Sequence, residues 1–542
     1  MILNSIKNLL LKNVEKPIIK FFLFSIFDTL VGATGMLIYG IFTRIHGPIW
    51  VRNQFIGLWL TTLVMFISIQ SLYIEVKSWT KYPYYLLDLI FFSTEIIINL
   101  LMIIFYSMAR KIDASIWSVY LFSVNLTNLY ILFARRKSVK GPKAENRSTE
   151  DPSITQPLNQ NEETGVKSIS KKLLLALENV NGLLKIIFLI FSCFLVIGAC
   201  IDGTGRPLSR GKFINVRIDN TESAEYIKVH YLCSKNNKNG DNQSIFMIEG
   251  DATHGVVDLL SIQILLAMEN KTSCIWDKPG LGFSDYLYNG MTSYNSPFYH
   301  NMIKEILANE NIINSGKLRF VATGSFGADI IFQYALDHRE MVESLTFLDV
   351  VPNNVEFLIK NTLSNFTRNE AERYKNKEYS SRQSFSNLKN AFGVPWGIIS
   401  LYVDPIKAFF SQFNNEIEWF YYTEKKWATE NYFINILKDK ISSFSSGKII
   451  DQTISLNLII SEKSDDQIIK NVCEPRKIDR NSKECIYEIN FNRLLIQEKL
   501  NLANLSSKSK LIACKQDECG MEYFFGVGAN YTVYNLLNEF NL

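Results

Sequence analysis

The chain has 542 residues, with 57 Lys and Arg against 53 Asp and Glu and a formal net charge of +4. So near a balance excludes a partner recognised through dense negative charge, nucleic acid above all. The length excludes one small domain, and the 47% hydrophobic share is spread unevenly enough to predict a membrane region followed by a globular one.

In chain order, four apolar runs come first, at about 18–42, 55–74, 84–108 and 115–134, and a fifth at 183–201. Each holds roughly the twenty apolar residues that a helix needs to cross the hydrocarbon core. The first is too long, and too soon followed by another, for a cleaved signal peptide. Lys7, Lys12, Lys16 and Lys20 precede the first run, Lys77 and Lys81 follow the second, and Arg135, Arg136, Lys137, Lys140 and Lys143 follow the fourth. Lys167, Lys171 and Lys172 precede the fifth, whereas the opposite loops hold only Arg44, Arg52, Arg110 and Lys111. Positive loops stay in the cytosol, so the N-terminus is expected there and everything after Ile201 outside or in the lumen. The expected units are therefore a four-helix membrane region over 1–134, a disordered cytosolic linker over 135–182, a fifth span over 183–201 and a globular domain over 210–542. The lipid bilayer is the first expected partner.

The spans also carry Asp28, Asp88, Glu95, Asn99, Asn125 and Asn128. Asp88, Glu95 and Asn99 share one helical face. Intramembrane carboxylates point to an ion or headgroup site, or to hydrogen bonds that hold the bundle together.

Past the fifth run, 213–219 and 225–232 alternate like a hairpin. Buried strands then alternate with helices: 244–249, a helix over 256–268, then strands at 272–277, 317–323, 344–349, 454–461 and 510–515 and a closing helix over 530–540. That order predicts a mostly parallel sheet with helices on both faces. Residues 353–452 lack strand alternation and carry Trp396, Trp419, Tyr421, Tyr422 and Trp427, which either line an apolar site or pack helices together. Six of the eight cysteines follow residue 202, an even number that permits three disulfides; Cys473 and Cys485, in one polar insertion, are the best-matched pair. Asn242, Asn270, Asn365, Asn504 and Asn530 begin glycosylation sequons on the same side of the membrane. No metal-ligand spacing and no phosphate-cradling loop occurs, so no metal and no cofactor is expected.

The central motif is Thr323-Gly-Ser325-Phe-Gly327 between the strand over 317–323 and a helix. Strand, tight turn and helix with a serine at the apex is the setting of a nucleophile elbow, although threonine replaces the first glycine. The turn is expected to strain the backbone of Ser325 and to expose its hydroxyl above the sheet edge.

Together with Ile248-Glu249-Gly250-Asp251, Asp277-Lys-Pro-Gly280-Leu-Gly282-Phe-Ser284-Asp285 and Phe347-Leu-Asp349-Val-Val-Pro352, the elbow resembles the α/β-hydrolase superfamily, most of all its membrane-tethered members. The resemblance covers roughly 210–540 and implies an α/β fold, a helical cap at 353–452 and a lipid or ester as ligand beneath it. It makes Ser325 the nucleophile and Asp465 or Asp466 the acid, with Asp349 as a second choice. It makes the N–H of Phe326 and one from Gly250 or Asp251 the oxyanion hole.

The base is missing. The five histidines are His46, His230, His254, His300 and His338, and none follows the seventh strand. Where the family places its histidine the chain reads Cys519-Gly520-Met521, or by a shifted alignment Ala529 or Asn530. His338 lies thirteen residues along the elbow helix from Ser325, about 20 Å from it at 1.5 Å per residue. His254 and His300 are left as residues expected to open toward the elbow, with His254 the candidate substitute base. Losing the base of a serine triad costs on the order of a millionfold in turnover. A catalytically impaired hydrolase domain used for binding or structure is the leading expectation, and an active serine hydrolase using His254 the alternative.

Overall fold

The computed structural model describes residues 26–35, 37, 54–78, 85–108, 112–139, 163–205, 209–218, 225–234, 244–251, 254–285, 296–312, 317–352, 355–402, 414–422, 426–427, 429–430, 434, 448–515 and 526–542. The chain divides into two units, one of residues 1–204 and 392–398 and one of 205–391 and 399–542.

The first unit is helical: α1 (Gln54–Ser78), α2 (Tyr85–Met108), α3 (Ile112–Val139) and α4 (Glu163–Gly205), with residues 26–35 helical before them. Stretches Leu86–Met108, Ala114–Phe133 and Asn179–Ile201 are long and apolar enough to cross a membrane, and Ile56–Ser71 is a shorter apolar helix. Leu60, Val64, Phe92, Met102, Leu121 and Leu195 interlock at the centre, while Ile97, Ile104, Ile116, Phe133, Ile186 and Ile190 face outward. Polar side chains are turned inward instead. Ser71 Oγ donates to Asn128 Oδ1 at 2.7 Å, Tyr120 Oη donates to Asp28, and Lys185 pairs with Asp88. Large apolar side chains facing outward and charged ones buried inward reverse the arrangement of a water-soluble bundle. Trp396 belongs to this unit, with its ring 5.1 Å from Trp59 and 4.9 Å from Phe191. A side chain on Gly198 would collide with the Pro395 carbonyl. Trp396 therefore packs into a helical core.

The linker expected to be disordered over 135–182 is helical at both ends, through Val139 and from Glu163. Leu173, Leu174, Leu175 and Leu177 continue the helix-forming composition of the span that follows. Residues 140–162 lie outside the described ones, as do His46, Asn242 and Met521.

The second unit is built on eight strands: β1 (Lys212–Ile218), β2 (Glu225–Ser234), β3 (Ile245–Glu249), β4 (Ser273–Trp276), β5 (Leu318–Thr323), β6 (Val342–Leu348), β7 (Ser455–Glu462) and β8 (Ser509–Lys515). They lie in the order β1-β2-β4-β3-β5-β6-β7-β8. β2 is antiparallel to β1 and β4, and every later pairing is parallel. Successive side chains of a strand point to opposite faces, and the core divides accordingly. Ile245 and Met247 of β3 join one apolar cluster with Phe320, Ala322 and Phe332. Phe246 and Ile248 join the other with Leu259, Val321 and Leu536.

Helices α5 (Val256–Met268), α6 (Ser296–Asn309) and α7 (Gly324–Asp337) follow β3, β4 and β5. The insertion between β6 and β7 supplies α8 (Val355–Ser364), α9 (Arg368–Leu388) and α10 (Asn414–Tyr422). After β7 come α11 (Lys483–Asn501) and α12 (Gly526–Tyr534), the latter widening into a π-helical turn over Asn535–Glu539. Trp419, Phe420 and Trp427 are buried, and Trp419 stacks on Phe283 at 5.1 Å. These aromatics pack the insertion. Disulfides join Cys233 to Cys274, in register across β2 and β4, and Cys473 to Cys485, as their place in one polar insertion suggested.

Candidate functional site

The site lies where β3, β4 and β5 end side by side and α5 and α7 begin. β5 passes into α7 without a loop, and the reversal needs one residue of positive φ. Gly324 supplies it at φ +70°, a conformation open to glycine at no steric cost. Ser325 is already helical, and it is not among the residues of positive φ. The strained backbone expected at Ser325 is therefore not found, because the turn is made one residue earlier by a glycine. Ser325 is half-buried, and among the described residues no side chain hydrogen-bonds to its hydroxyl.

What stands over the elbow is Asp251. Its Oδ1 accepts the N–H of Phe326 at 3.1 Å, and a side chain on Gly324 would overlap its carboxylate. The Asp251 N–H is in turn donated to His254 Nδ1 at 3.1 Å, while the His254 N–H returns to the Asp251 carbonyl at 3.0 Å. Of the N–H groups expected to hold an oxyanion, those of Phe326 and Asp251 are thus engaged within the protein. Gly250 contributes its carbonyl, which accepts from Lys278 Nζ at 3.0 Å.

Accepting a hydrogen bond at Nδ1 leaves His254 with its proton on Nε2. Burial, and then the charges of Lys426 and Lys278, push its pKa down to about 3. An imidazole with so little affinity for a proton is a poor general base at neutral pH.

Beneath this loop runs a charge network that sequence reasoning missed. Lys278 forms an ion pair with Glu249 in which both side chains are 1% exposed. The same ammonium holds the carbonyl of His254 at 3.2 Å. Next to it, Asp277 accepts the Val256 N–H at 2.7 Å, the Phe283 N–H at 3.0 Å and His230 Nδ1 at 2.7 Å. Burial alone would raise the Asp277 carboxyl, but the bond and charge of His230 and the two N–H donors outweigh it and hold it below the ordinary range. His230 Nε2 lies 2.6 Å from the Arg210 carbonyl, so both ring nitrogens face acceptors. A signal for this network was present in the adjacent Asp277 and Lys278 directly after a strand. A small cavity of about 10 Å³, room for a single water, is lined by His230, Asp277, Val256, Phe283 and Trp419, not by Ser325.

The remaining acidic candidates are each engaged by a basic side chain. Asp465 and Asp466 open a short helix after β7, where Ser464 and Gln467 form the capping box. Asp465 pairs with Arg493 and Asp466 with Arg480 at 3.3 Å, and the two carboxylates are 39% and 85% exposed. Asp349, at φ +53°, accepts from the Ser461 N–H at 3.0 Å and from Lys499 Nζ at 2.5 Å. His300 does not open toward the elbow: it stacks on His338 at 4.1 Å, and His338 caps the far end of α7. Among the described residues no group of three or more His, Cys, Asp or Glu side chains is placed to hold a metal ion.

The fold is α/β-hydrolase-like. That statement rests on the strand order and on the direct passage of β5 into α7. Solved structures resemble it only distantly. They include a probable hydrolytic enzyme from Pseudomonas aeruginosa, 12% identical over 61% of this chain and 95% of that one, at a TM-score of 0.39. A malate-bound thermophilic esterase from Thermogutta terrifontis is 10% identical, covers 61% and 98%, and scores 0.34. The Cif epoxide hydrolase of Acinetobacter nosocomialis is 14% identical, covers 64% and 96%, and scores 0.39. No family model matches the chain, and no curated protein matches it closely enough to count as a relative.

Proposed function

We propose that this is a multi-pass membrane protein whose α/β-hydrolase-like domain lies outside the cytosol and serves binding or structure rather than ester hydrolysis. The observation that carries this reading is the hydrogen bond from the Phe326 N–H to Asp251 Oδ1. An acyl-transfer enzyme keeps that donor free for the oxyanion that develops in its transition state, and losing one such donor costs on the order of a hundred- to a thousandfold. Here the donor is taken, and by a group that is itself negative. A second negative charge about 4 Å from that carboxylate would cost about 4 kcal/mol at an effective dielectric of about 20. The unassisted Ser325 hydroxyl points the same way.

Three long apolar helices with apolar exteriors and charged side chains buried between them support the membrane reading. Loop charges put the N-terminus in the cytosol. Disulfides in the second unit agree with an oxidising compartment on the other side. Asn270, Asn365, Asn504 and Asn530 are all exposed there, as glycan acceptors must be.

Turnover of short- and long-chain p-nitrophenyl esters by the purified full chain tests the proposal. The expected rate equals that of Ser325→Ala. A rate well above that variant's, lost also in His254→Ala, would establish the active-hydrolase alternative.

A further inference from the structure

Two rungs of buried side chains connect α2 to α4: Asp88 faces Lys185, and seven residues further along each helix Glu95 faces Ser192. Equal steps in the same direction on both helices mean that α2 and α4 run parallel, and that the rungs are successive layers of one interface.

The layers differ in charge. On the first, the Lys185 ammonium meets the Asp88 carboxylate, with side chains 3% and 0% exposed. One Asp88 oxygen lacks a hydrogen bond, but its charge is matched. On the second, Glu95, Asn99 and Ser192 are all 0% exposed, and among the described residues no ammonium or guanidinium is paired with Glu95. Glu95 Oε2 receives only a long contact from Asn99 Nδ2 at 3.4 Å, because that amide donates at 2.6 Å to the Glu95 carbonyl. Glu95 Oε1 and Asn99 Oδ1 have no hydrogen-bond partner. Acceptor oxygens thus gather in an apolar interior where a positive charge is missing. A buried carboxylate without a counter-charge is unfavourable enough that it must take one up.

We propose that Glu95, flanked by Asn99 and Ser192, binds a single positive charge, taken up as a proton or a small alkali cation, in the layer below the one Lys185 neutralises. The site is independent of the elbow and of any hydrolase chemistry.

The test uses the full chain in nanodiscs. Infrared difference spectra of wild type against Glu95→Gln detect a protonated carboxyl. Thermal unfolding in sodium chloride against N-methylglucamine chloride, at equal ionic strength, detects an alkali ion. The proton form predicts a protonated-carboxyl band at neutral pH that Glu95→Gln removes, with no response to sodium. The alkali form predicts no such band and a melting temperature that rises with sodium in wild type only. Ser192→Lys, which repeats the first rung's chemistry, is expected to abolish whichever signal is found while the protein stays folded. An ionised Glu95 at neutral pH, together with a melting temperature indifferent to sodium, would overturn the proposal. So would either signal if it survived in both Glu95→Gln and Ser192→Lys.

Discussion

Two helix starts stand side by side at one edge of the sheet, and each is closed by an aspartate from a neighbouring strand end. Asp277, after β4, takes the Val256 N–H of α5, and Asp251, after β3, takes the Phe326 N–H of α7. A helix N-terminus carries unpaired N–H groups and a partial positive charge, and it accepts an anion readily. In α5 the bound carboxylate is plainly architectural, since Asp277 also holds His230 and the Phe283 N–H. In α7 the same device engages the N–H that the family resemblance assigns to an oxyanion hole. The comparison teaches that the elbow is finished like an ordinary helix start, whatever its sequence suggests.

Lys278 serves both sides of the comparison, following Asp277 in the chain while its ammonium holds the Asp251 loop. Lys278→Met leaves Glu249 without a counter-charge and is expected to have the largest effect, a loss of about 3–5 kcal/mol in denaturant unfolding. Little or no loss would mean that the two helix starts are secured independently.

Asp277→Asn removes the charge from the α5 start and from His230, with an expected loss of about 2–3 kcal/mol. It also changes the acid response. The folded pKa of Asp277 lies below the ordinary 3.8. Its stabilisation is therefore complete above 3.8 and is lost as the pH falls through the lower folded value. The stability gap between wild type and variant should shrink below pH 3.8. A gap that widened there would reverse the assignment.

Asp251→Ala frees the Phe326 N–H and should cost about 1–3 kcal/mol without creating esterase activity, because no base replaces the missing imidazole. Ester turnover appearing in this variant would show that the carboxylate alone had silenced an otherwise competent site. Ser325→Ala is expected to change stability least, within about 0.5 kcal/mol, since no side chain among the described residues bonds to the hydroxyl.

The sheet was legible because its strands are short β-branched or aromatic runs with helices between them, and because the glycine-rich turns follow strand ends in order. The direction of single side chains was not. Nothing local in Gly250-Asp251 says that the carboxylate turns toward Phe326, 75 residues away. The Arg493 and Arg480 partners of Asp465 and Asp466 are likewise 28 and 14 residues off, in an insertion with no periodic signal. The absent histidine was readable from a list of five positions. The contact between Asp251 and the Phe326 N–H required coordinates.

The most direct measurement is labelling of the purified full chain by a fluorophosphonate, which reacts only with a serine that is both activated and served by an oxyanion hole. The account predicts no adduct on Ser325, with wild type and Ser325→Ala indistinguishable by intact mass. A stoichiometric adduct on Ser325, absent from that variant, would contradict it.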